Sequence, residues 1–232
     1  MRRRSRPVFL GVGAPDAFPD PRTADEDGLL AVGGDLSMGR LLCAYESGIF
    51  PWYDVGLPPL WWSPDPRAIM TPDRLHVSRS MQRFLRNSPF SVSCNRAFRH
   101  VMVLCAERDG GTWILPEMID AYVQLHEGGH ALSFEVWHQT ALVGGLYGVR
   151  VGGLFAAESM FHRETNASKL ALIAAIQSLF AAGVRLFDVQ FLTSHLESLG
   201  AHTIPRDDYL ARLEDALGLA PPGLAAPKAI LP

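Results

Sequence analysis

At 232 residues, with 48% apolar and 19% charged side chains, the chain has the make-up of a packed protein of one large or two small domains. No apolar run is long enough to cross a bilayer, and the charged start MRRRSRPVFLGVG carries too short an apolar stub for a signal peptide. The net charge of −3 includes four arginines among the first six residues; without those four the rest carries −7, which excludes a broad basic face for gripping duplexes lengthwise. Cys43, Cys94 and Cys105 show no metal or redox spacing, which favours a reducing, cytoplasmic setting.

Residues 14–73 are rich in Pro, Gly and Trp. Within DGLLAVGGDLSMGRLLCAYESGIFPW the spacing predicts one helix, capped by Asp35 or Ser37, running through Leu41, Leu42 and Tyr45 and ended by Gly48. The aromatic segments FPWYD and PPLWWSPDPRAIM follow, so 1–73 reads as a small, loop-rich N-terminal domain. From residue 74 to 218, helices and strands alternate as a second domain. Helices are expected over 77–86, 95–106 with Asn95 as cap, 116–127 with Pro116 in the first turn, 166–182, 194–199 and 205–217. Strands are expected over 90–93, 131–137, 142–150, 153–159, 185–192 and 201–204, with Gly152-Gly153 turning a hairpin. Helix 166–182 is apolar on nearly every side, which predicts burial against a sheet. Residues 219–232 read as an extended tail.

Several residue patterns suggest chemistry. In SRSMQRFLRN, helical spacing brings Arg79, Arg83 and Arg86 to one side, as a solvated face or as a phosphate-contacting patch suited to the end of a nucleic acid. Residues 126–130 spell HEGGH, the zinc-peptidase pattern, but the paired glycines favour a helix terminus followed by a strand over metal binding. Trp52, Trp61 and Trp62 lie in loops beside prolines, Trp113 lies in DGGTWI, and Trp137 lies in a strand where the core is its natural place. Trp52 and Trp113 are the ones that could stack a nucleic-acid base rather than pack inside. Glu158 falls in the loop 156–169 and either pairs with Arg163 or Lys169 or faces a cation or amine. Asp188 and Gln190, two apart in a strand, share a face. A buried carboxylate needs a polar partner, so something polar, structural or substrate, lies before that strand.

The ordered set FPDP, DGLLAVGGDLS, GIFPWY, WWSPDPRAI, GTWI, GGLYG, ESMF, NASK, FDVQ, LGA and IPRDDYL spans residues 18–213 and closely resembles the leucyl/phenylalanyl-tRNA–protein transferase family. The resemblance implies an α+β protein: a small N-terminal domain and a C-terminal domain built like the GCN5-related N-acetyltransferases, a mixed sheet flanked by helices. It implies transfer of Leu, Phe or, less readily, Met from aminoacyl-tRNA to the N-terminal Arg or Lys of acceptor proteins, marking them for degradation by the N-end rule. No cofactor, metal or membrane is implied, and the protein is expected to be a cytoplasmic monomer. Carried over by position, Trp52 and Trp113 would contact the terminal adenosine and its neighbourhood. Glu158, Asp188 and Gln190 would form the polar reaction site. Leu146, Phe155, Met160, Leu172, Ala175, Leu179 and Phe187 would surround the transferred side chain. Ala175 stands where a bulky aromatic is more usual, which implies a deeper or differently filled pocket. Phe187 should point away from Asp188 on a regular strand, so its place in the pocket requires a twist or bulge.

Aminolysis of an ester needs orientation and oxyanion stabilisation more than strong base, because a free α-amine titrates near about 7.7–8.0. Gln190 is expected to hold the attacking amine or its departing proton, Asp188 to polarise and position Gln190, and Glu158 to bind a cationic group. An acyl-CoA-dependent transferase would need a glycine-rich pyrophosphate cradle where HRETNASK stands. A non-enzymatic RNA-end binder would make Asp188 and Gln190 structural.

Overall fold

The computed structural model describes residues 6–13, 17–108 and 110–219. Residues 1–5 of the arginine-rich start and nearly all of the expected tail lie outside them. A first sheet has the order β1-β2-β4-β3, from strands β1 (Val8–Leu10), β2 (Leu29–Gly33), β3 (Phe50–Pro51) and β4 (Leu60–Trp62). Strands of two to five residues separated by prolines are too short to show a period-two pattern, so a segment that reads as loops contains a sheet. Helix α1 (Met38–Glu46) starts where Ser37 accepts a hydrogen bond from the Arg40 backbone N–H. Its exit is turned by Gly48 at φ 74°. Trp61 is a core residue: its indole N–H donates to the Gly33 carbonyl at 2.8 Å, and Phe18 meets its ring edge-on at 4.8 Å.

The larger sheet has seven strands: β5 (Arg67–Met70), β6 (Phe90–Cys94), β7 (Ala131–His138), β8 (Ala141–Val151), β9 (Leu154–His162), β10 (Leu186–Gln190) and β11 (His202–Ile204), in the order β11-β5-β10-β9-β8-β7-β6. All its pairings are antiparallel except β9 with β10, which are joined by the crossover helix α5 (Ala167–Ala181). Strand β5 lies within the stretch 1–73 assigned from sequence to the N-terminal domain, yet it pairs with β10 and β11 in the larger sheet. The remaining helices are α2 (Arg79–Arg86), α3 (Phe98–Ala106), α4 (Pro116–Glu127), α6 (Ser194–Ser198) and α7 (Arg206–Leu217). None is long and apolar enough to cross a membrane.

One apolar cluster runs without a break from Leu30, Tyr45 and Trp61 through Val101 and Tyr122 to Leu213, so the small sheet shares its core with α1, α3, α4 and α7. A second cluster on the other side of the large sheet joins Phe134, Phe155 and Phe187 to Leu172, Ile176 and Leu179 of α5. Covered by sheet and neighbours, α5 has buried residues all round, as its composition requires.

One local expectation is corrected, and the HEGGH segment is a helix end followed by a strand, as its glycines suggest. Asn95 does not cap a helix: α3 begins at Phe98, and the Asn95 side chain accepts from the Ser133 N–H at the end of β6. The N-terminus of α3 is held by the buried Glu135, whose carboxylate accepts from the Arg96 and Ala97 N–H groups and from the hydroxyls of Ser93 and Ser133. A carboxylate there is favoured by the helix dipole. In HEGGH, α4 ends at Glu127 and Gly129 adopts φ 81°, so the two imidazoles are not one helical turn apart. His126 stacks on Phe98 at 4.3 Å, with its Nδ1 2.8 Å from the Ala131 carbonyl oxygen.

Candidate active site

Strands β9 and β10 pair through Ala156↔Asp188, and no pair follows. Each strand carries an irregularity at that point. Against β8, Tyr147 faces Ser159 and Gly148 faces Ala157, which leaves Glu158 as the extra residue of a bulge. Against β5, Asp188 faces Ile69 and Gln190 faces Ala68, which leaves Val189 extra. Gly148 explains part of the GGLYG motif: a Cβ there would sit 2.3 Å from the Ala156 carbonyl oxygen. Glu158 therefore lies within β9, as the expected strand 153–159 has it, and the overlapping loop 156–169 began too early. The ladder with β8 continues to Gly144↔His162 and carries β9 past it.

A cavity of about 520 Å³ opens at this parting of the strands. Trp52 and Trp113 form part of its wall, Glu158 and Gln190 supply polar groups, and Leu146, Met160 and Leu172 line it as apolar side chains. Trp52 is 40% exposed, leans on Trp62 at 5.6 Å and on Phe191 at 5.5 Å, and so keeps a free ring surface. Arg108 also lines the cavity; its guanidinium donates to the Cys105 carbonyl and to the Ser159 hydroxyl.

Phe155, Ala175, Leu179 and Phe187, which the resemblance placed around the transferred side chain, are fully buried and do not line the cavity. They pack behind it; Phe187 lies 5.2 Å from Phe155. The β10 bulge comes after Phe187 and leaves its ring on the face opposite Asp188. Arg79, Arg83 and Arg86 are exposed on α2, whose Met81 is buried, and none of the three lines the cavity.

Gln190 donates from Nε2 to Glu158 Oε1 at 3.0 Å. The hydroxyls of Tyr45 and Tyr122 bond to each other and lie beside the Glu158 carboxyl. The alternative partner Arg163 pairs with Glu107 at 2.9 Å instead. Burial pushes the Glu158 carboxyl up to about 8, helped by the nearby Asp188 carboxylate; the Tyr45 and Tyr122 hydrogen bonds and the Arg67 charge pull the other way without prevailing. The Tyr45 and Tyr122 phenols are pushed well above their usual range, first by burial and then by Glu158.

Asp188 is wholly buried and absent from the cavity wall. The polar group before its strand is structural: Arg67 donates from Nε at 3.0 Å and from Nη2 at 2.6 Å, and the Tyr209 hydroxyl donates at 2.9 Å. Burial, the largest single influence, would lower the Arg67 pKa, but the charge and hydrogen bonds of Asp188 together with Tyr209 and Glu158 outweigh it, and the guanidinium is held firmly protonated. Asp188 reaches Gln190 through the backbone N–H, at 2.9 Å, and not through the side-chain amide it was expected to polarise.

Sequence reading missed Arg67, Tyr209, Tyr45, Tyr122 and Arg108. Arg67 left one trace, a lone charge heading the apolar run RAIM. The tyrosines left none, because a tyrosine on a buried helix face reads as ordinary packing.

The high carboxyl pKa has a stability consequence of definite sign. The folded protein holds the Glu158 proton more tightly than the unfolded chain, so its contribution is complete below the ordinary value of 4.5 and is lost as pH rises toward 8. Thermal unfolding of the wild type and Glu158→Gln between pH 4 and 9 should show the wild type losing ground to the variant across that window. Parallel curves would mean the carboxyl titrates normally.

The model of the leucyl/phenylalanyl-tRNA protein transferase family matches residues 69–214, and the model of that family's N-terminal domain matches residues 34–65. The leucyl/phenylalanyl-tRNA–protein transferase of Anaeromyxobacter sp. (strain K) is 55% identical over 215 residues, covering 91% of this chain and 92% of its own. That of Klebsiella pneumoniae (strain 342) is 52% identical over 220 residues, covering 93% and 94%. A GCN5-related N-acetyltransferase-like protein from Streptococcus suis superposes with a TM-score of 0.34 at 14% identity, covering 68% of this chain and 59% of that one, too loosely to bear on the fold. The cavity at the parting of β9 and β10 and the two curated relatives define an aminoacyltransferase. The chain belongs to the leucyl/phenylalanyl-tRNA protein transferase family.

Proposed function

We propose that the protein moves Leu, Phe and, less readily, Met from aminoacyl-tRNA to the N-terminal Arg or Lys of acceptor proteins, marking them for degradation by the N-end rule. It acts as a cytoplasmic monomer. One observation carries this reading: two partly free tryptophans, a carboxyl–amide pair and an apolar slot meet in one cavity of about 520 Å³, ample for a nucleoside ester with its side chain. Trp52 and Trp113 hold the terminal adenosine by stacking. Arg79, Arg83 and Arg86 contact phosphates further along the acceptor end.

The transferred side chain enters between Leu146, Met160 and Leu172. Its α-ammonium then lies one carbon from the ester carbonyl, within reach of Glu158. With Nε2 given to Glu158, the Gln190 carbonyl oxygen is left to accept a hydrogen bond from the attacking amine. The neutral acceptor amine adds to the ester carbon, forming the C–N bond. The C–O bond to the terminal ribose then breaks, and the amine proton ends on the departing ribose oxygen. No redox partner or cofactor enters this balance.

Side chains unbranched at Cβ pass the mouth of the slot, whereas Val and Ile carry bulk there. A methyl group is worth only about 1–3 kcal/mol of discrimination, or roughly 10–200-fold. Purified protein given tRNA charged with Leu, Phe, Met or Ile and an Arg-starting peptide should therefore transfer in graded fashion, with Ile slowest by that margin. Equal rates for Leu and Ile would remove the slot from the account. No transfer at all, with tRNA still bound, would favour an RNA-end binding protein.

A further inference from the structure

We infer that Arg67 and Tyr209 are positioning residues for the transfer reaction: they clamp Asp188 so that the β10 bulge holds the Gln190 amide against Glu158. The inference rests on the reading of that cavity floor as the reaction site.

Gln190 sits at φ 58°, a left-handed conformation that a side chain bearing a Cβ rarely adopts. Such a backbone persists only where its surroundings over-determine it. Here its N–H is held by Asp188 Oδ1 at 2.9 Å. Asp188 in turn has no freedom, since both oxygens are taken by the Arg67 fork and Oδ2 also accepts from the Tyr209 hydroxyl. Arg67 is immobilised as well. Its Nη1 donates to the Gly48 carbonyl at 3.1 Å, and its guanidinium carbon lies 4.7 Å from the centre of the Phe50 ring and 4.5 Å from that of Tyr209. Phe50 itself lines the cavity and meets Phe191, another lining residue, at 5.7 Å. One guanidinium therefore fixes a polar group of the floor through Asp188 and an aromatic part of the wall through Phe50.

Stability does not explain this choice of residues. A buried ion pair is often no better for stability than apolar side chains of the same volume. What an apolar pair cannot do is set the direction of a backbone N–H. A planar fork gripping both carboxylate oxygens fixes the carboxylate plane and hence where the Gln190 N–H must lie. The parts come from β5, β10, α7 and the turn after α1, which are far apart in sequence, so the clamp forms only once the chain has closed around the site. Neither Arg67 nor Tyr209 lines the cavity, so neither touches substrate there; both act through Asp188.

Tyr209→Phe is the clean probe, because it keeps the ring over Arg67 and removes one hydrogen bond to Asp188. It should lower kcat for transfer to an Arg-starting peptide roughly tenfold, the value of one hydrogen bond to a charged group, with KM for Phe-tRNA close to wild type and the melting temperature lowered by only several degrees, the cost of one buried hydrogen bond. In a Gln190→Ala background the same substitution should cost nothing further, since its effect passes through Gln190. Arg67→Lys, which keeps the charge and loses the fork, should fall below Tyr209→Phe; if it fails to fold, the tyrosine cycle decides alone. Wild-type kcat in Tyr209→Phe, or the same fold loss in both backgrounds, would overturn the clamp. Wild-type transfer by Gln190→Ala alone would instead remove the reading of the floor, and the clamp with it.

Discussion

Gln190→Ala is expected to lower kcat for aminoacyl transfer by about 10²–10³-fold, the usual cost of removing one pre-set polar group from a reaction site, while KM for aminoacyl-tRNA changes little. The donor is held elsewhere, by stacking on Trp52 and Trp113 and by the slot between Leu146, Met160 and Leu172, so ground-state binding should survive. What disappears is the carbonyl oxygen that meets the attacking amine, together with the donor that occupies Glu158 Oε1. An interaction used only in the transition state appears in kcat and not in KM. Single-turnover transfer from preformed Phe-tRNA complex separates the two. A variant that turns over normally but binds tRNA tenfold more weakly would make Gln190 a binding residue and not part of the reaction.

Asp188→Asn should destabilise the protein by about 3–5 kcal/mol, because removing one partner of a buried pair leaves the other charge without compensation. Arg67 is 1% exposed and cannot turn to solvent. An asparagine can offer only one acceptor, so its NH₂ would face a guanidinium or phenol donor across 3.0 Å or less. Transfer should fall too, as the N–H that shapes the Gln190 backbone loses its carboxylate. The two effects separate with Arg67→Met combined with Asp188→Leu, which restores an apolar fit: chemical denaturation should return toward the wild-type midpoint while transfer stays low. Full activity in that double variant would mean that the ion pair matters to the fold alone.

Much of the molecule was legible because its signals are local. Ser37, Pro116 and Gly152-Gly153 punctuate α1, α4 and the β8–β9 hairpin where capping and turn chemistry require. Strands β7, β8 and β9 lie close to the expected 131–137, 142–150 and 153–159, and the uniformly apolar stretch that became α5 could only have been an interior helix. Asp188 and Gln190 were marked by polarity inside an apolar strand. The misreadings have one origin, which is that bulges and short strands leave no periodicity. Glu158 fell in both an expected strand and an expected loop because its bulge interrupts β9, and the small sheet was invisible because its strands end before a pattern can form.

The same division holds for the site. The chain by itself determined the residue kinds that matter: two tryptophans beside glycine and proline, a glutamate, an Asp-x-Gln pair and apolar side chains at spaced positions. Tertiary structure alone decided which of them face the cavity. It sent Asp188 inward to Arg67, Phe187 and Ala175 into the packing behind the wall, and Tyr45 and Tyr122 onto Glu158. The physical reason is that a side chain's direction depends on the register of the strand beside it. A single extra residue at Glu158 or Val189, chosen by what β8 and β5 can pair with, resets that direction for everything that follows.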